Sequence, residues 1–139
     1  NMQVVEVGDI LDFGNVKIEA FPAYNVKTEN HPKSEGWIGY LVKLEGVIIY
    51  FAGDTDYIPE MQRLSGYGKH DNYFVALLPV AGKGVMNPED AAEAASIISP
   101  DLAIPISYGA GVYGTLEDAN EFLELCKEKN VNAKILEKI

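Results

Sequence analysis

A run of apolar residues on consecutive positions, Val47 to Ala52, leads straight into Gly53-Asp54-Thr55-Asp56, and it constrains the chain more than any other feature. A strand with one wet face alternates apolar and polar side chains, so an unbroken apolar run implies burial on both faces. Immediately upstream, Trp37 to Leu44 reads as another strand, separated from the first only by Glu45-Gly46. Glycine in a two-residue connection supplies the positive φ that a hairpin turn requires. The pair is therefore antiparallel, and it delivers carboxylates to the C-terminal end of a buried strand.

The segments around this hairpin follow the same logic. Gln3 to Val7 and Val16 to Phe21 are β-rich runs joined across Gly8, Asp9 and Gly14, which predicts an opening antiparallel pair. A long polar and aromatic loop, Pro22 to Gly36, separates that pair from the hairpin, and ordered loops of this length often carry function. Beyond the carboxylates come a short helix over Ile58 to Leu64, a polar stretch from Gly66 to Asn72 and a near-continuous apolar strand, Phe74 to Val80. The Gly82 to Gly84 loop breaks the chain before Asn87-Pro88-Glu89-Asp90, where an N-cap, a first-turn proline and two acids start a helix running to about Ile98. Pro100 stops it, Leu102 to Ile106 forms a further buried strand, and Thr115-Leu116-Glu117-Asp118 has capping-box spacing for a helix to about Lys129. Ala133 to Leu136 closes as a short strand. This order predicts an α+β domain spanning 1–139, an antiparallel or mixed sheet with helices on one face, with no internal repeat or linker.

Bulk properties narrow the function. A chain of 139 residues buries roughly two-thirds of the surface it exposes when unfolded, enough for a core without disulfides or metal staples. A formal charge of -10 opposes nonspecific binding to nucleic acid or anionic membrane. Cys126, the single cysteine, falls on the apolar side of the last predicted helix and reads as a buried thiol. No apolar run approaches the roughly 20 residues that span a bilayer, and no signal-peptide pattern opens the chain, so a cytoplasmic location is expected. Asn1 is not an initiator whereas Met2 is one candidate, which leaves open whether the chain is natural or excised.

Three constellations invite chemistry. The Asp54-Thr55-Asp56 corner supplies a metal ligand, a nucleophile or a general base, against the plain alternative of a turn or helix cap. An aspartyl-phosphate phosphatase pattern, Asp-x-Asp-x-Thr/Val, fits poorly, because Ile58 stands where Thr or Val belongs. Gly109-Ala110-Gly111-Val112-Tyr113-Gly114 matches G-x-G-x-x-G, yet the Thr115 cap starts the helix after the last glycine, too late to aim its N-terminus at a pyrophosphate, so a glycine-lined loop beside a site is the better reading. His31 and His70 are the only imidazoles, too few for a His-rich metal site.

Read as a set, Pro22-Ala23-Tyr24-Asn25, His31-Pro32-Lys33, Gly36-Trp37-Ile38-Gly39-Tyr40, Tyr50-Phe51-Ala52-Gly53-Asp54-Thr55-Asp56, Ile58-Pro59-Glu60-Met61 and Ala76-Leu77-Leu78-Pro79-Val80 resemble the metallo-β-lactamase superfamily. More narrowly they are similar to metal-dependent hydrolases related to the ascorbate-6-phosphate lactonase group. Met86 with Glu89-Asp90-Ala91-Ala92, and Ile104-Pro105-Ile106-Ser107-Tyr108-Gly109, continue the pattern in order. The resemblance implies half of an αββα sandwich, in which one or two divalent ions, zinc or manganese, activate water against esters, lactones, amides or phosphodiesters. It places Asp54 at a metal-binding aspartate, with Thr55 helping to orient it. Tyr24, Asn25, His31, Asp56, Ser107 and Tyr108 are the expected substrate-binding residues.

The departures matter equally. The family's His-x-His-x-Asp-His string would lie upstream of Gln3, its next histidine corresponds to Asn25, and its last is replaced by Ser107, a poor zinc ligand. No catalytic residue is therefore assigned. The chain is expected to be the C-terminal portion of a metal-dependent hydrolase, inactive without the missing half. The alternative is a noncatalytic module that binds a small ligand or forms homo-oligomers through the surface its lost half would cover.

Overall fold

The computed structural model describes residues 3–69, 71–109, 111 and 113–137. Its centre is a six-stranded sheet in sequence order, β1 (Ile10–Asp12), β2 (Lys17–Pro22), β3 (Ile38–Leu44), β4 (Val47–Phe51), β5 (Tyr73–Pro79) and β6 (Leu102–Ile106). Strands β1 to β4 pair antiparallel, and β4, β5 and β6 pair parallel. The predicted hairpin is present, with Leu44 opposite Val47 and Gly46 at φ 73°. Helices α1 (Pro88–Ile98) and α2 (Leu116–Glu128) begin at the expected caps. Asn87 accepts from the Asp90 N–H, and Thr115 and Asp118 form a reciprocal capping box. The Ile58 to Leu64 helix is a 3-10 turn, Pro59–Leu64.

Two expected strands differ. Residues Gln3 to Val7 form no strand; the first strand is Ile10–Asp12, because Gly8 and Asp9 turn the chain and the tight bend at Gly14 sets the register with β2. Ala133 to Leu136 makes only a single parallel bridge, Ala133 to Ala103.

Both helices lie on one face of the sheet. Ile48 and Tyr50 of β4, Phe74, Ala76 and Leu78 of β5 and the alanines of α1 form the core there, joined by Phe122 and Cys126 of α2. Burial pushes the Cys126 thiol up to about 12, so it stays protonated and inert, as its position predicts. The opposite face differs from expectation. β4 is buried on one side only, since Val47 and Ile49 are half-buried and Phe51 is 42% exposed. Alternation and register put Tyr40, Val42 and Leu44 of β3 and Tyr73, Val75 and Leu77 of β5 beside them. No strand position on this face carries a charge, yet Tyr40, Leu44, Phe51 and Tyr73 are exposed on it and Val42, Ile49, Val75 and Leu77 only half-buried. An apolar face of this extent is one that sequence patterning prepares for burial.

Close packing fixes the far end of β3. A Cβ at Gly39 would lie 2.5 Å from the Ala52 carbonyl oxygen and 2.6 Å from that of Phe51, both rigid backbone atoms. Gly39→Ala is expected to cost about 1–3 kcal/mol through overpacking, read as a lowered urea midpoint with unchanged slope.

Candidate metal and substrate cleft

The C-terminal ends of the three parallel strands gather the candidate site, the place where open parallel sheets present ligand-binding groups. After β4, Gly53 adopts φ 70° and turns the chain so that Asp54 leaves the sheet with an exposed carboxylate. Asp54 makes no hydrogen bond or ion pair among the described residues, so its oxygens are available. After β6, Ser107 takes φ 62°, a left-handed conformation uncommon for a serine. Asp54, Ser107 and His31 line one cleft of about 280 Å³ with Trp37 and Phe51. The same three residues line an adjoining lobe of about 470 Å³ that adds Asn30, Lys83, Gly84 and Tyr113.

His31 reaches the cleft because the long loop is stitched to the end of β4. The Tyr24 N–H donates to the Thr55 hydroxyl (3.1 Å), the Asp56 N–H donates to the Tyr24 carbonyl (2.9 Å), and the Val26 and Lys27 N–H groups both donate to Asp56 Oδ2 (2.8 and 2.9 Å). Next along the loop, Asn25 is buried. Its Nδ2 donates to the Gly84 carbonyl (2.8 Å), which turns Oδ1 toward His31, where it accepts from the backbone N–H (3.0 Å) and from ring Nδ1 (3.0 Å). Because an amide oxygen only accepts, Nδ1 is the donor in this pair, and in the neutral imidazole that is the tautomer whose Nε2 can take a metal. The Trp37 ring meets the imidazole edge-on at 5.3 Å and limits its rotation.

The expected site residues therefore separate. Asp54, His31 and Ser107 come together, and Asn25 sits behind His31 as its orienting partner. Asp56 is 3% exposed and serves the loop, lining neither lobe. Thr55 likewise holds the Tyr24 backbone and makes no bond to Asp54. Tyr24 faces the neighbouring groove, where its hydroxyl donates to Glu60 (2.8 Å) and Lys33 lies 4.9 Å above its ring. Burial and then the Glu60 carboxylate raise the Tyr24 pKa above its ordinary value. Tyr108 is half-buried against the core and lines neither lobe. His70, Ala110 and Val112 lie outside the described residues. Within the glycine string, packing requires Gly114, where a Cβ would lie 2.2 Å from the Ser107 carbonyl oxygen, and Gly111 and Tyr113 line the larger lobe, as expected of a glycine loop beside a site. Sequence reasoning missed Asn30 and Lys83 as cleft residues.

Among the described residues, no three His, Cys, Asp or Glu side chains stand close enough to hold a metal ion. Asp54 and His31 are suitable donors, but a transition-metal site takes three or four protein ligands, so these residues by themselves do not fit one.

A mixed sheet of this order with helices on one face is the fold of a known class. Residues 1–107 match the family described as the β-lactamase superfamily domain, and the chain belongs to it. Its curated relatives include a UPF0173 metal-dependent hydrolase of Thermococcus onnurineus, 34% identical over 115 residues, covering 82% of this chain and 50% of the relative. Another, from Saccharolobus solfataricus, is 31% identical over 132 residues, covering 94% of this chain and 54% of the relative. A solved structure from Parabacteroides distasonis, described as a metal-dependent hydrolase, is 32% identical with a TM-score of 0.78, covering 97% of this chain and 57% of that one. The Igni18 metallo hydrolase of Ignicoccus hospitalis shares the fold, with a TM-score of 0.72 at 22% identity, covering 96% of this chain and 56% of that one. The chain thus spans about half the length of the curated relatives it matches.

The stitching of the loop generates a direct test. Asp56→Ala leaves the Val26 and Lys27 N–H groups without their acceptor, and is expected to cost about 1–3 kcal/mol and to speed amide exchange at both positions. Unchanged exchange there would show that the loop is held by other means.

Proposed function

We propose that this chain supplies one half of a divalent-metal hydrolase centre, with Asp54 and His31 as ligands, Asn25 orienting His31, and the remaining ligands coming from a second polypeptide segment. The single observation that carries this reading is the Asn25 amide, which bonds the Gly84 carbonyl through Nδ2 and His31 Nδ1 through Oδ1 and so holds the imidazole at the cleft shared with Asp54. Imidazole and carboxylate together favour zinc, with manganese the second choice. His31 thereby moves from the substrate-binding group to the ligand group, while Ser107 stays beside the cleft as a hydroxyl able to bind substrate.

The uncovered apolar sheet face supports the two-part assembly. A second sheet packed about 10 Å above it would bury Tyr40, Phe51 and Tyr73, which are 38%, 42% and 49% exposed. That sheet is the natural carrier of the missing ligands, since the relatives are about twice as long as the matched region. The same face also favours a second reading for the chain alone, self-association into a homo-oligomer around a pocket that binds a small molecule. No helix among the described residues is long and apolar enough to cross a membrane, and a cytoplasmic location with neither membrane nor nucleic acid as partner belongs to this proposal.

Zinc titration of the purified chain tests the reading. The expected result is one weak saturable site that Asp54→Ala abolishes, that Asn25→Ala weakens by about 10- to 100-fold, and that Ser107→His strengthens. Histidine is among the residues that tolerate the left-handed backbone at position 107, so the last substitution is compatible with the fold. Zinc affinity indifferent to Asp54→Ala would sink the proposal.

A further inference from the structure

The Gly82–Gly84 loop, which follows β5, is held from several directions. The Gly82 N–H donates to the Met86 carbonyl (3.0 Å), and the Gly84 carbonyl accepts the Asn25 amide (2.8 Å). The Asn30 side chain packs where a Cβ on Gly84 would stand, 2.7 Å from its Nδ2. Both glycines take positive φ, 70° and 69°, so the loop arches and leaves Lys83 at its crest. The lysine's origin is thus fixed relative to His31, because one residue, Asn25, bonds both.

The ammonium lies 4.8 Å from the Tyr113 ring centroid. It has no carboxylate partner among the described residues, whereas the lysines of the adjacent loop are neutralised, Lys27 by Asp90 and Lys33 by Glu60. Lys83 is also the only lysine or arginine among the described residues lining the larger lobe, which it shares with Asp54, His31 and Ser107. In a chain with 21 acidic and 11 basic residues, most lysines find an acid, and one left over at a cleft is free to pair with a ligand. Stacking on Tyr113 restrains the side chain without neutralising it, so less freedom is lost when an anion binds.

We propose that Lys83, restrained by Tyr113 on the Gly82–Gly84 loop, binds an anionic group, phosphate or carboxylate, on the molecule whose reacting end faces Asp54 and His31. The cleft is then selective for small oxyanion-bearing substrates. Asn30 lies close enough to the loop to add a neutral hydrogen bond to the same group. The substrate assignment rests on the metal-site reading above; the binding of an anion at Lys83 does not.

The test is a 1H–15N NMR titration of the metal-free chain with inorganic phosphate and, separately, with acetate. Saturable shifts are expected at the amides of residues 82–84 and Asn30, with the tighter of the two probes identifying the anionic group. Lys83→Gln is expected to weaken binding about tenfold or more, Lys83→Arg to retain it, and Lys134→Gln, at an exposed lysine away from the lobe, to leave it unchanged. Absence of saturable shifts, or an affinity that ignores Lys83→Gln, overturns the proposal. A parallel zinc titration keeps the two ideas apart. Zinc that leaves Asp54 and His31 unperturbed defeats the metal reading while the Lys83 result stands, and zinc binding without Lys83-dependent phosphate binding defeats only the anion site.

Discussion

The capture of a long loop by the end of one strand is the constraint on which the site depends. Thr55 and Asp56 lie just beyond the end of β4, past Ala52, Gly53 and Asp54, and their side chains take three backbone N–H groups from Tyr24, Val26 and Lys27. Both are nearly inaccessible to solvent, so these bonds form where an unmet donor would cost the most. Because the captured segment includes Asn25, the same stitches fix the amide that orients His31 and holds the loop bearing Lys83. Asp54, adjacent in sequence to these residues, is left free. One carboxylate serves structure and its near neighbour faces the cleft.

The second constraint is unfinished burial. The helix face of the sheet tolerates charge at its β2–β3 edge, where Lys43 pairs with Glu19 at 3.0 Å, yet the opposite face has no charge on any strand. Apolar area left in water is unfavourable by about 25 cal/mol per Å² relative to burying it, which gives this face a strong preference for a partner. Under the proposed two-part assembly, the length of chain that the relatives carry beyond the matched region would supply both the further ligands and the cover for this face.

Local signals made much of this fold legible in the sequence. Glu45-Gly46, the Asn87 cap and the Thr115 capping box each act within a few residues, and each marks an element the structure contains. Gln3 to Val7 misled because valines favour β structure, whereas pairing followed the register set by the Gly14 bend. The apolar run of β4 predicted burial on both faces, whereas its second face is half-buried at Val47 and Ile49 and exposed at Phe51. Of the residues expected at the site, Asp54, His31 and Ser107 line the one cleft. The roles of Asn25 and Asp56 arise from contacts between residues up to 59 positions apart, and composition or spacing carries no trace of them. Lys83 gave no signal because a lysine beside glycines reads as an ordinary solvated loop.

The central claim is that Asn25 sets His31 as a metal donor, and ring nitrogen chemistry reports on it most directly. A long-range 1H–15N correlation spectrum of the His31 imidazole at neutral pH, recorded before and after zinc addition, tests both halves at once. The account predicts a proton on Nδ1 and an Nε2 resonance that responds to zinc. A ring protonated at Nε2, or one that zinc leaves unchanged, would contradict it.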